Sequence, residues 1–447
     1  MGSKKNRLLL NYIFLLFLGI PLFLSCASAY FAVVDNELES NGYAGTNYVD
    51  GVKALEKNRR ILYKSGDKIL YYLDKGMLQH YAQQYSESSK LLQEGERAIE
   101  EAFTKSISQE ISTYLINDNV RDYGGEDYED IYINVFNALN YYHRGDREGA
   151  MVEIRRMNNK LRYLGAKYDA AITSLQRKAL ENDTRIPPNP NGQIKFSDSA
   201  LARYLGMLFH RGAGQYDDAR IDRDWLLAAF ANSPSIYTNA IPASVSGEME
   251  IPQGMARLNV IAFGGLSPVK QESVMRIPLP DYRWIKIALP EMVSRRSEIY
   301  RIELELDDGQ KFALELLEDM AAVAKETFKA RQHLIYIKTV IRATVKATGS
   351  SVTGAVAREV DGIGGLVLGL YSIAAQAYAE ASEQADLRVS RYFPARAYVA
   401  GINLPPGRYS FNIKYYNRNG KEIASIRREG MNIRENALNL VQTVSLK

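Results

Sequence analysis

Apolar residues recur at helical spacing from about Ile61 to Pro234 and at strand-like spacing after Pro234, so the chain divides into a helical half and a β-rich half. Within the helical half, Ala138, Gly145, Ala150, Ile154 and Met157 mark two antiparallel helices. Small Ala138 and Ala150 let the helices touch, Gly145-Asp146 makes the turn, and Ile154 and Met157 carry on the buried stripe. Gly76, Ser88, Leu92 and Gly95 stand at the same offsets of 12, 16 and 19 from their first member. Gly206, Ala219 and Leu226 follow that spacing with one inserted residue, and His210-Arg211-Gly212 there echoes His143-Arg144-Gly145.

These offsets resemble the tetratricopeptide repeat, whose small residues occupy the same places for the same steric reason. Three such units are about the minimum that stacks stably. The intervals between them, including the loop expected at Pro187-Pro188-Asn189-Pro190-Asn191-Gly192, imply extra helices or insertions. Stacked units of this kind bind other chains in a concave face, and the region is rich in tyrosine: Tyr71, Tyr72, Tyr81, Tyr85, Tyr132, Tyr141 and Tyr142. Most of these are expected to pack helix against helix, with Tyr72, Tyr141 and Tyr142 the candidates for touching a partner. The acidic run Gly125 to Asp130 reads as a helix N-terminus, where carboxylates oppose the dipole, with cation binding as the rarer alternative.

In the β-rich half, Ala256 to Phe263, Trp284 to Leu289 and Ile299 to Leu306 read as strands, and Asp307-Asp308-Gly309 turns the last into Lys311 to Leu314. Near the end, Tyr409, Phe411, Ile413 and Tyr415 alternate with polar residues. Asn419-Gly420 is a hairpin signal leading into Ile423 to Ile426, and Leu438 to Leu446 reads as a final strand. One sheet, a sandwich or two small sheets all fit this pattern. Between the blocks, Leu317 to Ala347 and Val352 to Gln384 read as helix. Val323, Ala330, Leu334, Ile337, Ile341 and Val345 form one buried stripe in the first. Gly362-Ile363-Gly364-Gly365 and the Gly365-to-Gly369 spacing in the second are expected to serve close helix packing. The apolar run Ile363 to Ala375 is too short to span a bilayer, and no Lys-Ser/Thr follows the glycines as a phosphate loop requires.

The expected architecture is therefore α+β and multidomain. It comprises a segment 1–25 that precedes the mature chain, a linker 26–60, tetratricopeptide-like helices 61–235, a β-rich region 236–316, a helical insertion 317–385 and a C-terminal β hairpin module 386–447.

The N-terminus changes the picture most. Lys4, Lys5 and Arg7 precede an apolar body from Leu8 to Leu24, and the only cysteine, Cys26, follows Ser25. The stretch Leu22-Phe23-Leu24-Ser25-Cys26 resembles a bacterial lipobox, and cleavage before Cys26 would free its thiol for lipid attachment. Two alternatives stay open: cleavage after Ala29 at the A-x-A of Ala27-Ser28-Ala29, or retention of the 17-residue apolar body as a short spanning helix. Removal of the three cations leaves a mature chain close to neutrality, which argues against a nucleic-acid surface. With Cys26 lipidated, no thiol remains for a disulfide, a zinc cluster or nucleophilic catalysis. Apolar residues make up 46% of the chain, enough to bury real cores.

Catalytic signals are sparse. His80, His143, His210 and His333 lack paired-ligand spacing, and no nucleophile elbow, P-loop or cofactor motif is present. The chain is expected to be non-enzymatic and to need no cofactor or metal.

Several runs together resemble one family. Tyr72 to Glu96, Asn137 to Asn159, Gly264 to Glu272 with Ile277-Pro278-Leu279-Pro280, Ala385-Asp386-Leu387-Arg388 with Phe393-Pro394-Ala395, and Leu404-Pro405-Pro406-Gly407-Arg408-Tyr409 are similar, in the same order, to a family of bacterial lipoproteins with repeat-like helices. That resemblance covers most of the mature chain and carries no catalytic residues. Relatives often encoded beside lipoproteins similar to the curli secretion channel imply a role in envelope or secretion assembly. The expected function is thus a membrane-anchored envelope scaffold for protein partners. The alternative is a ligand-binding or hydrolytic envelope protein with its site between the halves, near Gly264 to Glu272 and Lys270. Ala27, where an Asp would often retain a lipoprotein in the inner membrane, favours the outer membrane, with a secreted or periplasmic form as the alternative. Replacing Cys26 tests the anchor: a Cys26→Ala chain is expected to lose its membrane association in cell fractionation. A variant that is processed, stays membrane-bound and keeps its apparent mass would refute lipidation.

Overall fold

A computed structural model describes residues 33–37, 46–113, 121–164, 166–181, 196, 198–278, 284–359 and 384–447. Cys26 and the N-terminal segment, the Pro187 to Gly192 loop and the glycines from Gly362 to Gly369 lie outside these residues. The protein is mixed α and β, helical first and β-rich afterwards.

The helices are α1 (Thr46–Leu62), α2 (Lys68–Tyr81), α3 (Tyr85–Thr113), α4 (Asp127–His143), α5 (Arg147–Leu164), α6 (Asp169–Glu181), α7 (Ala200–Gly212), α8 (Tyr216–Asn232) and the short α9 (Ala243–Gly247). Helices α2 with α3, α4 with α5, and α7 with α8 form antiparallel pairs closed by three-residue turns. The turns share one hydrogen-bond pattern, their N–H groups reaching back four, three and five residues in turn. The middle turn residue has positive φ in each: Gln83 at 61°, Gly145 at 81° and Gly214 at 76°. Glycine adopts that conformation at no steric cost, whereas Gln83 bears some strain. Ala138 and Ala150 are fully buried where α4 meets α5, and Ser88 donates to the Gly76 carbonyl at 2.8 Å where α2 meets α3. The third pair differs from the expected spacing in an instructive way. Its turn has no inserted residue; Gly206 simply stands one position before the place that Ala138 occupies in its own pair. There it makes room for Asp222, whose Oδ2 a β-carbon at Gly206 would strike. Likewise Gly214, not Gly212, corresponds to Gly145.

The strands are β1 (Ala256–Leu266), β2 (Val269–Pro278), β3 (Trp284–Val293), β4 (Arg301–Leu306), β5 (Lys311–Asp319), β6 (Pro394–Leu404), β7 (Gly407–Tyr416), β8 (Glu422–Ile433) and β9 (Asn439–Ser445). Seven of them form one nearly closed sheet in the order β8-β7-β4-β5-β6-β1-β9, parallel only between β1 and β9. β2 and β3 form a separate hairpin against α10 (Met320–Glu359). Strands from both sides of the segment 317–385 thus share a sheet, and the C-terminal hairpin β7–β8 joins it through β4. The helix expected from Leu317 starts at Met320, because residues up to Asp319 extend β5. Gly309 and Gly420 sit with positive φ in the expected hairpin turns.

The sheet covers the first helix of each pair. From α2, Tyr81 donates at 2.7 Å to the carbonyl of Tyr392, just before β6, and His80 accepts from Gln442 of β9. From α4, Phe136 packs on Phe263 of β1 and on Phe393, with ring centroids 5.1 and 5.9 Å apart. From α7, Arg211 and β1 Arg257 share the buried Glu248 at 2.5 and 2.7 Å, and Asn259 completes that cluster. One apolar core runs continuously from the helices into the sheet.

Glu318 ties the halves most tightly. The pairing of β5 with β6 shifts register between Leu316 and Glu318, and this bulge puts Glu318 on the face opposite Leu314 and Leu316, with which strict alternation would align it. Fully buried, the Glu318 carboxylate accepts from Tyr132 of α4 at 2.7 Å, Tyr237 at 2.7 Å, Ser199 at 2.8 Å and the Leu201 N–H at 3.2 Å. Ser199 caps α7, so the carboxylate also faces the positive end of that helix. Burial raises its pKa, and the hydrogen bonds pull it partly back. Glu318→Ala would strand these donors, and urea unfolding is expected to show a loss of about 3 kcal/mol, with Glu318→Gln losing less. A change under about 0.5 kcal/mol would remove Glu318 from this role.

Candidate functional site

The junction of the halves gathers around the N-terminus of α4. The chain enters through Tyr123-Gly124-Gly125-Glu126, and Gly125 is required twice over: its φ is 79°, and a β-carbon there would lie 2.6 Å from Ile99 Cγ1. Glu126 then caps the helix, and Glu129 one turn on reaches back to the Glu126 N–H at 2.8 Å. The acidic run therefore caps the helix, as its sequence suggests, and it also binds cations of the chain itself.

Buried Lys270 and half-buried Arg331 converge on Glu126 Oε1, Arg331 at 3.0 Å and Lys270 in a close ion pair, and Arg331 also donates to the Gly125 carbonyl. Burial works against the Arg331 charge, yet the adjacent Glu126 carboxylate more than offsets it and holds its pKa above the ordinary range. Asp127 accepts from Lys167 at 2.7 Å and from Tyr168 at 3.0 Å. Asp386 lies nearby, where burial would raise its pKa but Arg388 and then Lys270 hold it down. Glu126 Oε2, by contrast, is buried with no hydrogen-bond partner among the described residues.

Behind this layer, Glu129 accepts from Tyr123 at 2.8 Å and from the Ser390 N–H at 2.6 Å. Burial, and then the neighbouring Glu126 charge, lift its pKa to about 7 despite those hydrogen bonds.

In front lies a cavity of about 840 Å³. Ala98, Ile99 and Phe103 of α3 form one wall, Tyr123 to Glu126 the base, Lys167 and Tyr168 a second wall, and Arg331, Leu334 and Lys338 of α10 a third. That volume lies within the range of small-molecule sites. Lys270 borders a smaller recess of about 20 Å³ that shares Arg331, Ile335 and Asp386.

No protein-family model matches this chain, and no curated protein or solved structure is significantly similar to it.

The tyrosines singled out in the sequence lie elsewhere. Tyr142 stacks on Phe209 with ring centroids 5.7 Å apart and bonds Leu438 O and Leu440 N at 3.2 Å, which fastens α4 to β9. Tyr141 accepts from Gln93 at 2.8 Å, and half-buried Tyr72 packs beside Tyr71 with ring centroids 5.8 Å apart. Lys270, by contrast, does reach the junction. Two histidines scattered in the sequence meet at the seam between β8 and β9, beside a cavity of about 190 Å³. His80 donates from Nδ1 to Asn140 Oδ1 at 2.7 Å and accepts at Nε2 from Gln442 Nε2 at 2.5 Å, while His143 Nε2 reaches Gln442 Oε1 at 3.2 Å. Burial lowers their pKa values to about 3 and about 4, so both are neutral near pH 7. Among the described residues, no group of three or more His, Cys, Asp or Glu side chains is placed to hold a metal ion, and no helix is long and apolar enough to cross a membrane.

Glu129 supplies a pH test. Its folded pKa of about 7 exceeds the ordinary value of 4.5, so between these values the folded state keeps a proton that the unfolded chain has lost. Its contribution to stability therefore falls as pH rises through that window and is lowest above it. His80 and His143, with depressed pKa values, act in the opposite sense, so the variant difference isolates Glu129. The melting temperature of the wild type minus that of Glu129→Gln is expected to decrease from about pH 5 to about pH 8. A flat difference would refute the assignment.

Proposed function

We propose that this chain is a lipid-anchored binding protein of the bacterial envelope that holds a small organic molecule in the junction cavity and performs no catalysis. The carrying observation is the cavity itself, roomy and polar, built where the two halves meet and backed by a carboxylate with one buried, unpaired oxygen. Glu129, the group with a pKa near neutrality, lies behind Tyr123 and does not line the cavity, so it serves the packing rather than a reaction.

The shared turn geometry of the three helix pairs supports a tetratricopeptide-like reading of the helical half. The use of that half differs from the usual one. Such arrays bind partners in a concave surface, and here the chain's own sheet packs against α2, α4 and α7. The anchoring at Cys26 and the outer-membrane destination rest on the sequence pattern around Ser25, Cys26 and Ala27.

A second reading, a scaffold for a protein partner, is favoured by one observation. Ile221 and Trp225, one turn apart on α8, are 54% and 52% exposed.

The two readings separate in one preparation. Protein purified from envelope membranes is denatured, and the molecules released are identified by mass spectrometry. An organic molecule near one-to-one with the wild type, and absent from Lys338→Glu of unchanged melting temperature, is the expected result. Release of nothing beyond the anchor lipid would refute the cavity reading. A stoichiometric protein that copurifies with the wild type and is lost in Ile221→Ala with Trp225→Ala would establish the scaffold.

A further inference from the structure

The cavity's lining restricts what fits it. Among the described residues, seven cationic side chains line it against five carboxylates, so its field favours an anion. The cations come from separate elements, including Lys68 on α2, Arg121 in the entry loop, Lys167 before α6 and Lys338 on α10. Several already hold a carboxylate of the chain, as Lys167 holds Asp127 at 2.7 Å, so a guest adds to an existing charge pattern rather than neutralising a bare one.

An anionic group alone leaves two features unused. Glu126 is 2% exposed, and its Oε2 lacks a hydrogen bond, an unfavourable state for a buried acceptor that a guest's hydroxyl or amino group would relieve. Phe103, Tyr123 and Tyr168 bring aromatic rings to the walls, beside apolar Ile99 and Leu334. Such surfaces suit a guest with a partly apolar body, and about 840 Å³ is far more than a bare inorganic anion fills. A fatty acid would satisfy the cations and the apolar walls but not Glu126. A cationic guest would satisfy Glu126 but oppose the surrounding field.

We infer that the junction cavity takes an organic anion that also carries hydroxyl or amino donors, the class to which acidic sugars and sugar phosphates belong. This rests on the cavity reading proposed above. The same chemistry is presented by soluble sugar acids and by the sugar headgroups of anionic lipids.

Calorimetric titration of the full mature chain separates these sources. The probes are galacturonate, glucose 1-phosphate, inorganic phosphate, and phosphatidylcholine vesicles with and without phosphatidylinositol phosphate. Saturable binding of a soluble sugar acid, weakened about tenfold in Lys338→Glu and in Arg121→Glu, is the expected result, with melting temperatures confirming that both variants fold. Binding confined to the phosphoinositide vesicles and weakened by the same changes supports the class and assigns it to a lipid headgroup. Inorganic phosphate binding as tightly as glucose 1-phosphate would overturn the inference, as would binding to none of the probes or binding indifferent to both charge reversals. If the molecule released from the envelope protein proves apolar or cationic, this inference falls while the cavity reading stands.

Discussion

Helix α4 has almost no face left for water, so the polar groups it carries can find partners only inside the protein, and the bonds they make organise its surroundings. Asn140 holds His80 and Ser88 of the preceding pair, and Asn134 holds Glu153 of α5 and Glu96 of α3. Tyr132 reaches across to Glu318 on the sheet, and Glu129 fixes the backbone at Ser390. Together these contacts join α4 to α2, α3, α5, strand β5 and the segment before β6. Apolar burial supplies the larger driving force, but it is not directional. These hydrogen bonds select one arrangement of helices on the sheet from the many that would bury similar area.

The junction shows the same constraint at higher charge. Two cations and a carboxylate buried together are costly to desolvate, and an apolar replacement of similar shape would often be as stable. Their concentration at the edge of a large cavity therefore says little about stability. Lys270 and Arg331 occupy one oxygen of Glu126 and leave the other unpaired.

Local pattern made the helical pairs legible, because small residues at a fixed spacing report directly on where two helices touch. Hairpins marked by Asp308-Gly309 and Asn419-Gly420 were legible for an equally local reason, the positive φ that each turn demands. Strand β6 was not: Pro394 to Leu404 is buried on both faces, so it shows no alternation, and Gly401 within it reads as a break. That glycine is needed for close approach, since Arg257 crosses directly over it to reach Glu248. Strand β2 was hidden by its exposure, with Gln271 to Arg276 all facing solvent. The cavity was visible only in part. Lys270 and the acidic run were conspicuous, but Arg331 lies on a helix that follows Lys270 only after β3, β4 and β5, and nothing local signals their convergence. Glu318 depends on a bulge, which no alternation pattern reveals.

The sheet's connectivity also sets an order of events. Helix pairs close over three-residue turns, whereas β1 must find β6, pairing Val260 with Ala400, and β4 must find β7, pairing Leu304 with Ile413. Closing such long loops before any contact is gained is slow, so local helical structure forms well ahead of the sheet. During that interval the inner faces of α2, α4 and α7, apolar and studded with groups meant for the strands, have nothing to cover them. For a chain read as crossing a membrane before it folds, the vulnerable species is then a helical intermediate awaiting its sheet, and the kinetics of strand closure, more than the depth of the final energy minimum, govern how much of the protein escapes aggregation.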